Sequence, residues 1–441
     1  MTSNKRVVGG LLLGMCVGGA ALSGCNSDDP SNSGANPNDV CDLVVADADC
    51  DETKGPIVFV HGTYGSGDNI ANVALLFGSN GYCQDRFVAV EYNSLGGNPQ
   101  AQLDALIDTV RTDTGFDQVV LMGHSQGTGH CTTYLGDATR AAKVSNYINF
   151  SGTSMVPNDV PTLSVSSEID IGMMTRHNPN ATELVTFTDA DHFTLAASDE
   201  AFSELWQYLY DEVPAYTTVQ CGQPMVTLEG IAETFGTNTP QAMATIEVFE
   251  LGNSPRTRGT PVLTLTSDTN GHIPAFELKR NVAYEFRALD PAGALAGHVY
   301  YAPFKRSNRL LRFLAPPEFA LVASMTTDNV TRDPGHAAFV FRYIGGAFRP
   351  DLGHSLKLNG NEVLTTENTP DPNGTVGMFM YDVESDKASS LAVDFEAPFV
   401  VGTDVYVSAT DAAFVEVNWN GTIIKVPNWP SDEGLVSVML P

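Results

Sequence analysis

Gly123-His124-Ser125-Gln126-Gly127 is the stretch of this sequence whose residue types and spacing can do chemistry. It follows the apolar run 119–122 and leads into a segment with small residues at Gly127 and Gly129. A strand, a G-x-S-x-G turn and a helix, in that order, hold a serine hydroxyl above the end of a sheet and at a helix N-terminus. The flanking glycines are needed because a side chain there would strike the neighbouring strand or helix. With 40 glycines in 441 residues, a bare G-x-S-x-G arises by chance in roughly a fifth of such chains. Its weight therefore depends on what the rest of the chain supplies.

A serine nucleophile needs a base and an orienting acid, in the chain order Ser, acid, His. Of the nine histidines, His61 and His124 sit inside motifs that call for backbone or packing roles, and His130 lies on the helix after the turn. His192 follows the last predicted strand, in the loop Thr188-Asp189-Ala190-Asp191-His192-Phe193, and precedes the final predicted helix. It is the candidate base. His177 competes, but no strand delivers it to the sheet's end. For the acid, Asp170 follows the penultimate strand of the sheet and is the first choice, with Glu168 second; Asp189 and Asp191 read as loop carboxylates.

Upstream, Gly55-Pro56-Ile57-Val58-Phe59-Val60-His61-Gly62-Thr63 is an apolar strand ending in His-Gly. It resembles the place where α/β-hydrolases build half of an oxyanion hole. The backbone N–H of Thr63 is one expected donor and that of Gln126 the other; Tyr64 replaces Thr63 if the loop turns one residue later.

The elements that must position these residues are legible between 51 and 216. Short apolar runs at 57–60, 87–90, 119–122, 147–150, 162–165 and 184–187 read as strands. Between them Leu103, Leu106, Ile107 and Val110 recur on one helical face. Phe202, Leu205 and Leu209 do so after an N-cap at Ser198. Strands alternating with helices predict a mostly parallel sheet covered on both faces. The segment between Phe150 and Pro161 is too short for an inserted cap, so the site is open unless something else covers it. From about 217 the texture changes to alternating β-branched, aromatic and polar residues, with Asn-Gly turn signals at 270, 359, 373 and 420. This region reads as an all-β sandwich or barrel, in modules 217–310 and 311–441, or as one unit. It holds no candidate catalytic cluster.

A net charge of −29 argues against nucleic acid, whose phosphates call for Lys and Arg. The N-terminus reads as a targeting segment: Lys5 and Arg6, an apolar stretch to Ala21, then Leu22-Ser23-Gly24-Cys25. That ending looks like the lipobox of bacterial lipoproteins. The resemblance implies cleavage after residue 24, acylation of Cys25, and a membrane anchor on the cell envelope, outer membrane or cell surface. The polar residues up to about 50 are a tether. Five cysteines remain beyond the anchor, so one thiol is left unpaired. Cys50 and Cys83 each precede a strand by a few residues and are the candidate disulfide pair; Cys131 reads as a buried apolar residue. No spacing suggests a metal site.

With these residues in hand, the chain is similar to the α/β-hydrolase lipases and esterases, and among them to an archaeal long-chain type with a C-terminal β-domain. His61-Gly62, residues 123–127, Arg140-Ala141-Ala142-Lys143-Val144 and Asn428-Trp429 carry the likeness. In that family the β-domain is associated with long apolar acyl substrates, and the histidine hangs over the nucleophile from a loop placed as His192 is. The stretch ending in Asp170 is similar to the acid segment of minimal, lidless bacterial lipases. One departure stands out: where the archaeal type carries its acid, after the strand that follows the nucleophile helix, this chain has Ser151-Gly152.

The expectation is a carboxylic ester hydrolase, a lipase or carboxylesterase, working through Ser125, His192 and Asp170 without metal or organic cofactor. Its partners are an ester or lipid substrate and, through the N-terminal lipid anchor, a membrane. The same triad would serve a polyester depolymerase. A reading from a different class is a surface-binding lipoprotein with an inert hydrolase domain.

Overall fold

The computed structural model describes residue 41 and residues 43–152, 155, 159–170, 178, 180–318, 320–371 and 373–441, together with the backbone course of Lys5–Val8. Cys25 and its lipobox, most of the tether and the competing His177 lie outside the described residues.

The first sheet has seven parallel strands: β1 (Lys5–Val8), β2 (Ile57–Val60), β3 (Phe87–Val90), β4 (Val119–His124), β5 (Val144–Phe150), β6 (Thr162–Ser167) and β7 (Glu183–Phe187). Their order is β1-β7-β6-β5-β4-β2-β3. The six strands expected from the apolar runs are all present, and β1 adds an edge from a stretch read as part of the targeting segment. β4 is buried along its whole length, as a strand covered on both faces must be.

Alternate residues of these strands feed two cores. Ile57, Phe59, Met122, Ile148 and Val165 pack under α1 (Ala71–Ser79) and, nearer the C-terminal end of the domain, α6 (Asp199–Tyr210). Val58, Val60, Leu121 and Tyr147 face α2 (Gln100–Thr114) and α3 (Gln126–Leu135), through Leu103, Ile107, Val110, Cys131 and Leu135. The short helices α4 (Ala138–Ala141) and α5 (Thr194–Ala197) complete this part. Ser198 caps α6 by accepting from the Ala201 N–H. This is the α/β-hydrolase arrangement expected from the sequence, with helices on both faces of the parallel sheet.

The remainder is β-rich, with an α-helix, α7 (Ala320–Met325), that the pattern did not suggest. One nine-stranded sheet runs through all of it, in the order β10-β9-β12-β13-β23-β15-β18-β20-β19. The first half comprises β9 (Thr245–Glu250), β10 (Leu263–Thr266), β12 (Tyr284–Leu289) and β13 (Leu295–Tyr301). It packs on a three-stranded sheet of β8 (Met225–Thr234), β11 (His272–Lys279) and β14 (Asn308–Ala315). The second half comprises β15 (Phe339–Tyr343), β18 (Gly377–Tyr381), β19 (Val393–Ala397) and β20 (Val400–Asp404). It packs on a four-stranded sheet of β16 (Leu356–Leu358), β17 (Asn361–Glu362), β21 (Phe414–Trp419) and β22 (Thr422–Pro427).

A boundary at 310/311 falls inside β14, which belongs with the first half because it pairs with β8. The last strand, β23 (Val436–Leu440), lies parallel to both β13 and β15 and stitches the halves together. The Asn420-Gly421 turn joins β21 to β22 with both residues at positive φ, 48° and 91°. Such backbone suits a two-residue hairpin loop.

Candidate active site

Ser125 stands between the C-terminal end of β4 and the start of α3, with φ 53° and ψ −123°. A non-glycine residue rarely holds this backbone, and here the surroundings enforce it. A Cβ on Gly127 would lie 2.1 Å from the Val60 carbonyl oxygen. A Cβ on Gly62 would lie 2.8 Å from the Ser125 Cβ and 3.3 Å from its Oγ. The His-Gly loop and the serine turn thus pass each other at a separation that only glycines permit.

Asp170, just beyond β6, accepts from His192 Nδ1, with Oδ2 at 3.0 Å and Oδ1 at 3.1 Å. Both residues are buried, at 3 % and 5 % exposure. Burial works to raise the Asp170 carboxyl, but hydrogen bonds from His192 and Ser151, with the attraction of His192, hold it below its ordinary value. Ser151 Oγ donates to Asp170 Oδ2. The position that departs from the archaeal pattern therefore still touches the carboxylate. Glu168 is exposed at the end of β6.

His192 is held from three sides. His124 donates through Nε2 to the His192 carbonyl at 2.7 Å, and the two rings lie 4.7 Å apart. Burial pushes the His124 imidazole down to about 3, so it is neutral and Nε2–H can donate. Asp191 accepts from the N–H groups of Phe193 and Thr194, at 3.0 and 2.9 Å, fixing the turn just after His192. From the β region, Phe399 lays its ring nearly parallel to His192, 6.4 Å away at 16°, and edge-on to Phe193 at 4.8 Å. Sequence reasoning missed Phe399, Ser151 and the grip of His124. Only His124 left a signal, as a histidine next to the serine.

Thr63 and Gln126 are joined by a hydrogen bond from Thr63 Oγ1 to Gln126 Oε1 at 3.1 Å. The N–H groups of both residues have no acceptor among the described residues. Tyr64 is the weaker alternative, because its N–H already donates to Ser94 Oγ at 2.8 Å. Between this loop and the β region lies a mostly apolar hollow. Thr63, Phe193, Phe235, Leu314, Phe379 and Phe399 are among its walls. The β region thus walls the space beside Thr63, while Ser125 is part-exposed and Gln126 exposed.

Among the described residues there are two disulfides: Cys50–Cys83, and Cys41–Cys221, which spacing did not suggest. Cys131 is free and buried, and burial raises its thiol.

Residues 224–317 match the lipase C-terminal domain family, and a further C-terminal domain family matches residues 326–441. Among solved structures, the chain is similar to a lipase of Bacillus licheniformis in propeptide form, at 12 % identity and TM-score 0.29, over 86 % of this chain and 93 % of that one. A gene product of Listeria innocua aligns over 38 % of this chain and 98 % of its own, at 15 % identity and TM-score 0.30. A phospholipase of Legionella pneumophila aligns over 88 % and 93 %, at 8 % identity and TM-score 0.17. These likenesses are distant, and the chemistry rests on the geometry of the site itself.

Proposed function

We propose that this protein is a carboxylic ester hydrolase, a lipase or carboxylesterase, with Ser125 as nucleophile, His192 as base and Asp170 as the orienting acid. The observation that carries the reading is the buried His192–Asp170 pair tied to the Ser125 turn. Asp170 fixes Nδ1–H, and the residue preceding the nucleophile grips the His192 backbone. With Nδ1 donating, Nε2 keeps a lone pair for the serine proton.

Ser125 Oγ attacks the ester carbonyl as His192 takes its proton. The tetrahedral oxyanion is received by the N–H groups of Thr63 and Gln126. Collapse releases the alcohol, protonated by His192, and leaves an acyl-enzyme. Water, activated by the same histidine, then frees the acid. The match of residues 224–317 to the lipase C-terminal domain family supports an apolar acyl substrate, as do the apolar walls beside Thr63. Export of the chain, with Cys25 as the lipid-bearing residue, belongs to the same proposal. Two disulfides support an oxidising compartment.

The test is hydrolysis of p-nitrophenyl esters from acetate to palmitate by the full chain, beside Ser125→Ala. Activity lost in the variant, with phosphonate labelling of the wild type alone, is the expected result. A folded wild type that cleaves no ester and takes no label would return the chain to a binding role.

A further inference from the structure

We propose that Asn238, in the first half of the β region, is a positioning residue for the oxyanion-binding loop 61–65, so that this half takes part in building the site. The inference rests on the hydrolase reading above and concerns the same site.

The loop's aim is set by its carbonyls. The Gly62 carbonyl accepts from His61 Nδ1 at 2.8 Å and from the Gly65 N–H at 3.1 Å. In a trans peptide the C=O and the following N–H point to opposite sides. Pinning the Gly62 oxygen therefore turns the Thr63 N–H the other way. His61 can do this because it is neutral: burial pushes its imidazole down to about 3. Its Nε2, lying 3.4 Å from the Tyr92 N–H, is then the acceptor and Nδ1 the donor.

At the far end of the loop the hydrolase domain takes the Tyr64 N–H, which donates to Ser94 Oγ at 2.8 Å, and the β region takes the Gly65 carbonyl. The Gly65 carbonyl accepts from Asn238 Nδ2 at 2.7 Å, and the same amide group lies 3.4 Å from His61 Nε2. Asn238 is itself built in. It is buried, with φ 50°, and its Oδ1 accepts from Arg312 Nη2 at 2.7 Å. Arg312, also buried, is paired with Glu233 at 2.5 Å and reaches toward Asp68 at 3.9 Å, while Arg342 takes Asp68 at 2.6 Å. Asp68 follows the loop directly in the chain. A chain of hydrogen bonds thus runs from β14 through Asn238 to Gly65, and a second path runs from β14 and β15 to Asp68. Nothing in the hydrolysis reaction uses Asn238, yet it holds the carbonyl of Gly65, whose N–H closes the turn on the Gly62 carbonyl.

The variant that tests this is Asn238→Gly, because glycine accepts the positive φ and removes only the carboxamide. It is made in the full chain and assayed on p-nitrophenyl butyrate. An active-site titration with a phosphonate gives the competent fraction, and an alkyl trifluoromethyl ketone serves as tetrahedral mimic. The expected result is a kcat per titrated site lower by about tenfold or more, with KM within about twofold. The mimic should weaken in step with kcat/KM, because it too needs the oxyanion donors. Unchanged kcat per titrated site would overturn the proposal. So would a loss fully accounted for by a smaller competent fraction, since that is what a purely structural role produces. Absence of esterase activity in the wild type would instead remove the hydrolase reading beneath it.

Discussion

The His124 side chain donates through Nε2 to the backbone carbonyl of His192 at 2.7 Å, so the residue before Ser125, the proposed nucleophile, holds the backbone of the proposed base. Phenylalanine at 124 would keep the ring contact and drop the donor, leaving a buried carbonyl without its partner, a loss of about 1–3 kcal/mol. His124→Phe is expected to lower the melting temperature by several degrees. On the proposed mechanism it should also lower kcat at least about tenfold, because the backbone of the proposed base loses its hydrogen bond from His124. Thermal unfolding and ester kinetics on the same preparation check both.

Asp170 makes a matched pH prediction. Its carboxyl is depressed in the folded chain, since its hydrogen bonds and the nearby His192 outweigh burial. A depressed carboxylate stabilises the fold fully above its ordinary value, 3.8, and loses that contribution as pH falls below it. Asp170→Asn should flatten the acid limb of the stability curve. It should also cut kcat by about 10³–10⁴-fold, because an amide favours the wrong imidazole tautomer. Urea unfolding at several pH values below 5 and kinetics at neutral pH are the measurements.

The parallel sheet could be read in the sequence because strands buried on both faces must be continuous apolar runs, and the 57–60 and 119–122 stretches are such runs. The serine turn could be read because glycines at 123 and 127 answer a local steric demand. The grip of Asn238 on Gly65 joins residues 173 apart in the sequence, and a polar residue in a Thr-Asn-Thr-Pro loop carries no local mark of such a partner. Phe399 sits in a turn at φ 66° between β19 and β20. Its role exists only once the second half of the β region has docked. The Cys41–Cys221 pair was hidden likewise, because its two ends meet only through the fold.

Glu91 gives a prediction of opposite sign. Its Oε2 is buried with no hydrogen-bond partner among the described residues, near Glu233 and Asp68, with Arg312 close by and His61 Nε2 at 3.6 Å. Burial, with repulsion from Glu233, raises its carboxyl well above 4.5. The folded chain then keeps a proton that the unfolded chain gives up, so stability falls as pH rises from about 4.5 towards the folded value. Glutamine retains the acceptor for the Gly67 N–H, now 2.7 Å from Oε1, and cannot ionise. Glu91→Gln should therefore match the wild type near pH 5 and exceed it in melting temperature by a margin that widens toward pH 9. A constant margin across that range would show that the side chain does not change protonation.

Phe399 is the residue through which the second half of the β region reaches the site, against His192 and Phe193 and into the wall of the apolar hollow. The ring is half-buried, so its removal withdraws part of the roughly 1.5–3 kcal/mol that burying such a side chain contributes. If an acyl chain lies along this wall, the loss falls on long chains and spares short ones, because acetate does not reach past the oxyanion loop. Phe399→Ala is expected to raise KM for p-nitrophenyl laurate by about tenfold while leaving p-nitrophenyl acetate within about twofold. An equal loss on both esters would mean instead that the ring acts by steadying His192. The kcat values then decide, since a disturbed base lowers kcat for every ester whereas a lost wall raises KM for the long ones alone.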